Sequence, residues 1–572
     1  MEGLEKVGIP GRAYLREALT NCSDPLVAIE DFQSENGILL PSLRPMLPLL
    51  DLHGVRRLDF HTSVLDELKD KMLERVDKLG KADGLTDKQK KEKEKRLKDL
   101  LHKSFPVLRV PQLQPIIMKI MKNLEHVDDK YLKQFVNDDS LYEKCDVVVK
   151  RQIWQEHQGL FGNEVSPLLS QYIKDKEAVL YGHVESTAVF FTSTPRQRRQ
   201  NEIIQKLVEM VGKNVLLYDT ILQFLRTLFL RTKNVHYCTL RVELLMALHD
   251  AEIQDITTMD PCHKFAWCLD ACIREQNIDT KRSRELQSVL DGVKKGQEQV
   301  LGDLSMALCD PYAINFLSNT FLKICNHLIT SETLPRENAV LSLVLRMLNL
   351  GLHSWDILNS QVYREPFLDP NVVTQFIPTL MAMIVDDQVR TYNSRLPPDD
   401  RESALAIIEH SGPPPDIYQT FISNDRLATV LAVYYSYQLC KQKDKQGVMR
   451  VLGMLANSYE NRALENPFLH NLVSFFIPMA DDFMAEDFCT VVMDELFLTT
   501  LEHGNVAHHL MRLLYHVLDK LPDHRLEILS KTLSSINFTN DVSKALYKQI
   551  EDKIQLRENE GGEEMETSKE DV

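Results

Sequence analysis

The feature that most restricts the fold of this chain is the helical spacing of its apolar residues, which recurs almost everywhere. One example is the set Leu217, Ile221, Phe224, Leu225 and Leu228. A second set, between residues 510 and 521, has the same kind of spacing. Residues three and four positions apart lie on one face of an α-helix. No succession of segments shows the strict alternation of half-buried strands, so the sequence predicts an all-α fold.

Several helix starts are marked by an acidic or amide residue followed by proline. These pairs are Asp24-Pro25, Asp260-Pro261, Asp310-Pro311, Asp369-Pro370 and Asn466-Pro467. The side-chain oxygen can accept a hydrogen bond from a free N–H of the first turn, and proline fits the first helical position. Glycine supplies 21 of 572 residues, about half its usual share of ~7%, which disfavours turn-rich β folds.

The length of the chain limits how these helices can assemble. A single hydrophobic core rarely serves 572 residues, whereas stacked helix pairs can be extended by repetition. We therefore predict a HEAT/armadillo-like helical repeat solenoid with degenerate repeats; a compact multi-domain helical protein is the alternative. The predicted segments are N-terminal helical repeats at 1–190 with a Lys-rich stretch near 80–98, central repeats at 201–390, a Pro-rich loop at 391–416, C-terminal repeats at 417–556 and a disordered acidic tail at 557–572.

Charge and motifs argue against an enzyme and against a membrane protein. The net charge of −16 disfavours nucleic-acid binding by the whole surface, although salt screening leaves room for local basic patches. The sequence contains no dinucleotide, phosphate-loop, zinc-protease or serine-hydrolase motif, so we predict no catalytic activity and no cofactor. The apolar run Phe376–Val385 is too short to cross a bilayer. Ten scattered cysteines, with no secretory signal before them, indicate reduced thiols in a cytosolic or nuclear protein.

Three basic clusters are candidates for contacts with RNA or another phosphate. The candidate residues are Lys90, Lys91, Lys93, Lys95, Arg96, Arg196, Arg198, Arg199, Lys294 and Lys295. The first five are interleaved with acids, so a solvated helix face is the main interpretation for them, and RNA contact or a nuclear-import signal is the alternative. The three arginines lie in a stretch without apolar residues, which we predict to be a flexible loop with no acids nearby.

A cluster of Cys262, His263, Cys268 and Cys272 combines residue types that bind zinc. No pair of these cysteines has the two-residue spacing of a zinc knuckle, and they share an apolar helical stripe with Phe265. A buried free cysteine behaves as a small apolar residue. We therefore predict a packed core here, with a zinc site as the alternative.

The three tryptophans, Trp154, Trp267 and Trp355, each lie inside an apolar helical pattern. Large aromatic side chains contribute most of their stabilisation when they are buried, so we predict core packing for all three. The alternative is an exposed tryptophan that anchors a partner, as at the hot spots of protein interfaces.

Long strings of this sequence carry a resemblance to a known family. They read NVHYCTLRVELLMALHD at 234–250, DPCHKFAWCLDACIRE at 260–275, ELQSVLDGVKKGQEQVLGDLSMALCDPYAIN at 285–315, VKRQIWQEHQGLFGNEVSPLL at 149–169, LTNCSDPLVAIEDFQSENGILLPSL at 19–43 and LLDLHGVRRLDFH at 49–61. Together they resemble the B subunits of the negative elongation factor, the complex that holds RNA polymerase II in promoter-proximal pausing. The resemblance is strongest from residue 19 to about 315 and looser to about 555.

This resemblance implies a nuclear, non-enzymatic scaffold with a HEAT-like helical fold. It implies direct contacts with the E subunit, which carries an RNA-recognition domain, and with the C/D subunit, through which the A subunit is joined. The assembled complex would engage RNA polymerase II together with its partner DSIF. Contact with nascent RNA is also implied, without assignment to a particular lysine, and no membrane is involved. The open alternatives are a helical-repeat protein that binds RNA directly through basic loops and a zinc-dependent protein.

Overall fold

A computed structural model of the chain describes residues 56–80, 87–181, 184–293, 297–393, 416–455, 466–501, 504–536 and 541–567, with a few isolated positions besides. This described part contains 27 α-helices, short 3₁₀ and π segments, and no β-strand, which confirms the predicted all-α fold. The repeat type of the helices stays a prediction. None of the described helices is both long and apolar enough to cross a lipid bilayer.

The chain divides into two compact units, Met1–Gly162 and Asn163–Val572. The described helices up to and across the division are α1 (Arg57–Gly80), α2 (Asp87–Ser104), α3 (Gln114–Lys122), α4 (Asp129–Val136), α5 (Asp139–Glu143), α6 (Val147–Glu156) and α7 (Gln158–Tyr181). Ile117, Met121 and Phe135 are buried in the core of the first unit. Because Ile117 and Met121 are one turn apart, α3 presents a single apolar face to its neighbours.

The second unit contains the remaining twenty helices of the described part. The first ten are α8 (Pro195–Arg199), α9 (Glu202–Val211), α10 (Val215–Thr232), α11 (His236–Asp250), α12 (Gln254–Met259), α13 (His263–Glu275), α14 (Thr280–Asp291), α15 (Gln299–Leu308), α16 (Pro311–Ser331) and α17 (Ala339–Leu352). The last ten are α18 (Ser354–Ser360), α19 (Ile377–Asn393), α20 (Asp416–Asn424), α21 (Arg426–Gln442), α22 (Lys445–Leu455), α23 (Asn466–Phe476), α24 (Glu486–Cys489), α25 (Gly504–Val517), α26 (Asp523–Ser534) and α27 (Asp541–Thr567). Consecutive helices such as α21 and α22 pack against each other, as short connections favour.

The apolar stripes read from the sequence form the buried faces of their helices. On α10, Leu217, Ile221 and Leu225 are buried, whereas Phe224 and Leu228 lie half-buried at the margin of the stripe. The stripe between residues 510 and 521, on α25 and the turn after it, is buried throughout. Burial of such a side chain stabilises the fold by roughly 1.5–3 kcal/mol, so the stripes carry most of the packing energy.

Two of the acid–proline pairs cap a helix as predicted. The side chain of Asp310 accepts a hydrogen bond from the backbone N–H two residues further on, and the side chain of Asp369 does the same. Asp260 accepts from the N–H of Cys262, but α13 begins only at His263, so this bond belongs to the turn before the helix. Helix α23 begins at Asn466, also as expected, whereas Asp24 lies outside the described residues. Each capped N–H would otherwise remain unsatisfied at the start of its helix, which explains why short polar residues mark these boundaries.

Close packing of α15 and α17 depends on one glycine. A Cβ atom added to Gly351 would lie only 2.5 Å from the carbonyl oxygen of Leu308. Real Cβ atoms do not approach backbone oxygen so closely, so any larger residue would force the two helices apart. The surrounding leucines, Leu348 and Leu350 among them, are fully buried and fix this contact within the core.

Residues 184–192 form a strap that packs on α23 and α25, and its last three residues, Phe190–Thr192, form a 3₁₀ turn. Arg512 donates to the backbone oxygen of Ser186 over 2.7 Å, and the backbone N–H of Phe190 donates to Asn471 over 2.7 Å. The first predicted domain, by contrast, ends at residue 190, and the first compact unit already ends at Gly162. Five of the nine strap residues are apolar, and Phe190 among them is buried. The polar stretch 192–200 that follows is what suggests a border in the sequence.

Helix α27 extends to Thr567 and so includes part of the predicted disordered acidic tail at 557–572, the rest of which lies outside the described residues. The glutamates of this segment favour a helix, whereas Gly561 and Gly562 disfavour one. The ends of the predicted Pro-rich loop, 391–393 and 416, belong to α19 and α20, and the rest of that loop lies almost entirely outside the described residues.

Candidate functional site

The three arginines at 196, 198 and 199 lie on the short helix α8, so the prediction of a flexible loop is wrong. Thr194 caps this helix: its hydroxyl accepts from the N–H of Gln197, and the Gln197 side chain accepts from the N–H of Thr194 over 2.9 Å. This reciprocal arrangement is a capping box. The sequence Thr-Pro-Arg-Gln at 194–197 has the residues of a capping box and so predicts a helix start, although the scarcity of apolar residues favours a loop.

Arg198 is buried and ion-paired, which corrects its assignment as a phosphate contact. Its Nε donates to Glu243 over 2.6 Å, and its guanidinium lies 3.7 Å from the centre of the Tyr312 ring. Glu243 also accepts a hydrogen bond from the hydroxyl of Tyr172 over 2.8 Å. Lys176 lies 3.9 Å from the same carboxylate, and burial lowers the pKa of this lysine. Arg198 therefore stabilises the interior of the second unit rather than facing a ligand.

Arg199 is likewise engaged by acids that lie far away in sequence. It donates to Asp250 on α11 over 2.8 Å and to Asp270 on α13. Burial works against the charge of Arg199, but the two carboxylates outweigh burial and raise its pKa. Asp270 also accepts from Nε of Arg274 over 2.9 Å, so it bridges two arginines. The expectation of no nearby acids is wrong because α11 and α13 fold back onto α8.

Arg196 is exposed and makes no ion pair with any residue that the structure describes. It lies at the edge of an open groove of about 510 Å³. The groove residues on which its chemistry depends are Arg196, Arg199, His249, Asp250, Trp267 and Arg274. We call this feature the arginine–tryptophan groove. It combines guanidinium groups, carboxylates and one aromatic face within a space large enough for a short peptide segment.

The three tryptophans have different environments. Trp154 is fully buried, as predicted, and its indole N–H donates to the Tyr142 hydroxyl over 2.7 Å. Trp355 is partly buried, and its indole N–H donates to the backbone oxygen of Leu230 over 3.1 Å. Trp267 is 44% exposed, so the core prediction is wrong for this residue. The helical phase of this residue could have shown its exposure, because position 267 lies on the face of α13 opposite the buried stripe residues.

The Lys-rich cluster lies on α2 in the first unit. Lys90, Lys91 and Lys95 are exposed there and form no ion pair with other described residues. Lys93 donates to the backbone oxygen of Gly80 over 2.7 Å, and Arg96 pairs with Glu92 one turn away over 2.6 Å. Part of the cluster is therefore self-neutralised, as the interleaved acids indicate. Lys294 and Lys295 lie outside the described residues.

The cysteine cluster is part of the hydrophobic core. Cys262, Cys268 and Cys272 are all buried there together with Phe265, in line with the packing interpretation. Burial raises the pKa of the Cys262 thiol, which disfavours the thiolate that a metal needs. His263 forms a ring-to-ring hydrogen bond with His249 over 3.0 Å. Within the described ranges, no three His, Cys, Asp or Glu side chains are grouped so that they could hold a metal ion.

A buried polar cluster lies beside the strap, to which two of its members, His470 and Arg512, form hydrogen bonds. It contains His470, His508, His509 and Arg512, all nearly inaccessible to solvent. The guanidinium of Arg512 lies 3.2 Å from Nδ1 of His470. Burial, reinforced by the charge of Arg512, lowers the pKa of His470 and of His508 to about 4. These histidines are therefore neutral at physiological pH and serve as hydrogen-bonding groups.

Comparison with known proteins yields consistent matches along this chain. A sequence model of the family described as Cofactor of BRCA1 (COBRA1) matches residues 111–457, a segment that includes α8, α11 and α13. The protein called negative elongation factor B in Drosophila melanogaster is 56% identical over 553 residues, covering 96% of this chain and 92% of the relative. The proteins of the same name in Mus musculus and Homo sapiens are 49% and 48% identical over 558 residues, covering 97% of this chain and 94% of each relative.

The fold defines an all-α protein, and its arginine–tryptophan groove presents charged and aromatic groups at the surface. The names of the relatives describe a regulatory factor, in agreement with the prediction of a non-enzymatic protein. The chain belongs to the Cofactor of BRCA1 family, the family of negative elongation factor B.

Proposed function

We propose that this chain is a nuclear, non-enzymatic scaffold subunit of the negative elongation factor complex, which represses transcription by supporting promoter-proximal pausing of RNA polymerase II. The observation that carries this proposal is identity of 48–56% to proteins named negative elongation factor B over nearly the full length of both chains. Such identity spans both compact units, so a role that needs the whole chain is favoured over one confined to a single domain.

In this role the chain joins the E subunit to the C/D subunit, and through C/D to the A subunit. The complex then acts on polymerase together with DSIF. The all-α fold supports this role, because exposed helix faces and grooves can bind segments of partner proteins without any chemical step. Exposed large apolar side chains, such as Phe367 at 82% and Tyr392 at 67%, are further surface features that suit association.

The test is co-expression of the full chain with the E and C/D subunits, followed by size exclusion with light scattering. We expect a complex of defined mass that survives 0.5–1 M salt. At these concentrations the Debye length is about 3–4 Å, so exposed ion pairs are screened. A chain that elutes alone, at the mass of its monomer, would contradict the scaffold role.

A second candidate function is direct RNA binding by this chain. The exposed lysines of α2 favour it, because three unpaired ammonium groups on one short helix can contact a phosphate backbone. The buried arginines Arg198 and Arg199 do not support it. Fluorescence anisotropy with a single-stranded RNA, measured on the isolated chain over a range of salt concentrations, would test this candidate. Salt-independent or undetectable binding would count against it.

A further inference from the structure

We infer that the arginine–tryptophan groove of the second unit docks an acidic linear segment of a partner polypeptide, with an apolar or aromatic side chain of that segment lying on Trp267. The inference deepens the proposed function and rests on it, since it names the kind of segment that a scaffold of this type would hold. It depends on three observations: an exposed tryptophan, an arginine without an ion-pair partner among the described residues, and an excess of positive charge in one groove.

Trp267 is the aromatic anchor of the groove. An indole that is 44% exposed leaves a large apolar face in water, although the other described tryptophans are buried or partly buried. Its ring lies 6.2 Å from the ring of His249, which is held in turn by its hydrogen bond to His263. The indole therefore has a fixed neighbour and still leaves nearly half of its surface open to solvent. Fixed, half-exposed tryptophans of this kind are typical of interface hot spots.

The charges of the groove select the sign of the ligand. Three arginines, at positions 196, 199 and 274, face two aspartates, at 250 and 270, which leaves one net positive charge. The two carboxylates are already engaged by Arg199 and Arg274. Arg196 has no such partner among the described residues, and Arg274 remains about half exposed. Free guanidinium donors pair best with carboxylates, often in bidentate geometry.

The same arrangement disfavours a nucleic acid in this groove. A phosphate backbone would pass the carboxylates of Asp250, about half exposed, and Asp270. Nucleic-acid sites usually neutralise several phosphates at once, whereas this groove offers one surplus charge. An acidic peptide needs only one or two carboxylates placed at Arg196 and Arg274, with an apolar side chain between them. A peptide segment therefore fits the observed charges better than RNA.

Photo-crosslinking in the assembled complex tests the inference directly. The full chain carrying a benzophenone amino acid in place of Trp267 is reconstituted with the E and C/D subunits, irradiated, and the crosslinked peptide is sequenced. We expect one segment with a net negative charge of two or more. A matched control places the benzophenone at Leu216 on α10, which is exposed to a similar extent, 48%, and should give no defined crosslink. A crosslink to RNA, to a basic segment or to no partner would overturn the inference.

A binding measurement follows from the identified segment. A synthetic peptide of that sequence should bind the complete wild-type chain and quench or shift the fluorescence of Trp267, with affinity falling as salt rises. Arg196→Glu should weaken binding about five- to tenfold, because it replaces an attraction by a repulsion. Arg231→Glu, an exposed arginine on α10, should leave the affinity unchanged. Equal affinity for the two variants would overturn the inference.

The two proposals fail in distinguishable ways. If the complex assembles but nothing acidic crosslinks at position 267, the groove inference fails and the scaffold role stands. If the E and C/D subunits do not associate with the chain at all, the proposed function itself fails, whatever the groove does.

Discussion

Helices α2 and α8 each carry a basic run without apolar residues, 88–96 on α2 and 196–199 on α8, but the two runs lie in different environments. On α2, Lys90, Lys91 and Lys95 are exposed to solvent, and Arg96 pairs with an acid on the same helix. On α8, two of three arginines are buried and pair with acids on other helices. Basic charge in a sequence therefore does not distinguish a ligand surface from an internal cross-link.

The chemistry of the two cations explains part of this difference. A guanidinium is planar, weakly hydrated and able to donate along several directions, so it can be buried between two or three partners. Arg199 uses this geometry to join α8 to α11 and α13. A lysine ammonium group is strongly hydrated and sits on a flexible stem, so it usually stays at the surface. A cluster of arginines in a sequence should therefore be interpreted as buried, ion-paired residues more often than a cluster of lysines.

The largest effect is expected from Arg198→Ala. This change leaves the Glu243 carboxylate buried without its main partner, which typically costs about 3–5 kcal/mol in the free energy of unfolding. Thermal unfolding followed by circular dichroism should show a clearly lower midpoint than for the wild type. Arg196→Ala, on the same helix but exposed, is the matched control and should shift the midpoint little. Equal stability of the two variants would mean that α8 is not a cross-link.

The next largest effect is expected from acid. The pKa of His470 and of His508 is about 4 in the folded chain, below the usual ~6.5 of the unfolded chain. Below pH 6.5 the unfolded chain therefore binds more protons, and stability falls as pH falls towards 4. At pH 5 the loss is about 2 kcal/mol for each histidine.

Hydrogen exchange at pH 7 and pH 5, corrected for the intrinsic pH dependence of exchange, measures this loss. Protection should decrease in the strap, 184–192, and in α23, which His470 joins by its hydrogen bond to Ala188. It should also decrease in α25 and α27, which the hydrogen bond between His508 and Ser543 joins. His508→Gln keeps a polar side chain without a titrating group and should reduce the acid effect. If acid reduced the protection of α2 while the strap stayed protected, the acid effect could not be assigned to these histidines.

Local patterns predicted the helices well, because their causes are local. The stripe at 217–228 and the cap at Asp310 depend on residues within a few positions of each other. The capping box at Thr194 and the outward phase of Trp267 were equally local and could have been read. The partners of Arg198 and Arg199 could not, because Glu243, Asp250 and Asp270 approach α8 only after the chain has folded. Buried ion pairs depend on tertiary contacts, and the separation of two residues in the sequence does not indicate whether they will pair.

A smaller effect, on binding rather than stability, is expected on α2. Replacing Lys90, Lys91 and Lys95 together by glutamate should lower the affinity for single-stranded RNA about tenfold. The dependence of log affinity on log salt should also flatten, by about 0.7 for each phosphate contact that is lost. A control that reverses Lys103, Lys130 and Lys133, also exposed in the first unit, should have less effect. RNA binding that is unchanged in the first variant would remove α2 from the candidates.

The smallest effect is expected from Arg96→Ala on α2, and it completes the comparison with Arg198. The Arg96–Glu92 pair is short, 2.6 Å, but both side chains are more than 60% exposed. An exposed pair one turn apart contributes below about 0.5 kcal/mol, because water solvates both charges when the pair opens. The thermal midpoint should therefore remain within error of the wild type. A loss as large as that of Arg198→Ala would require a buried partner for Arg96, and α2 would then be a second cross-link instead of a solvated surface.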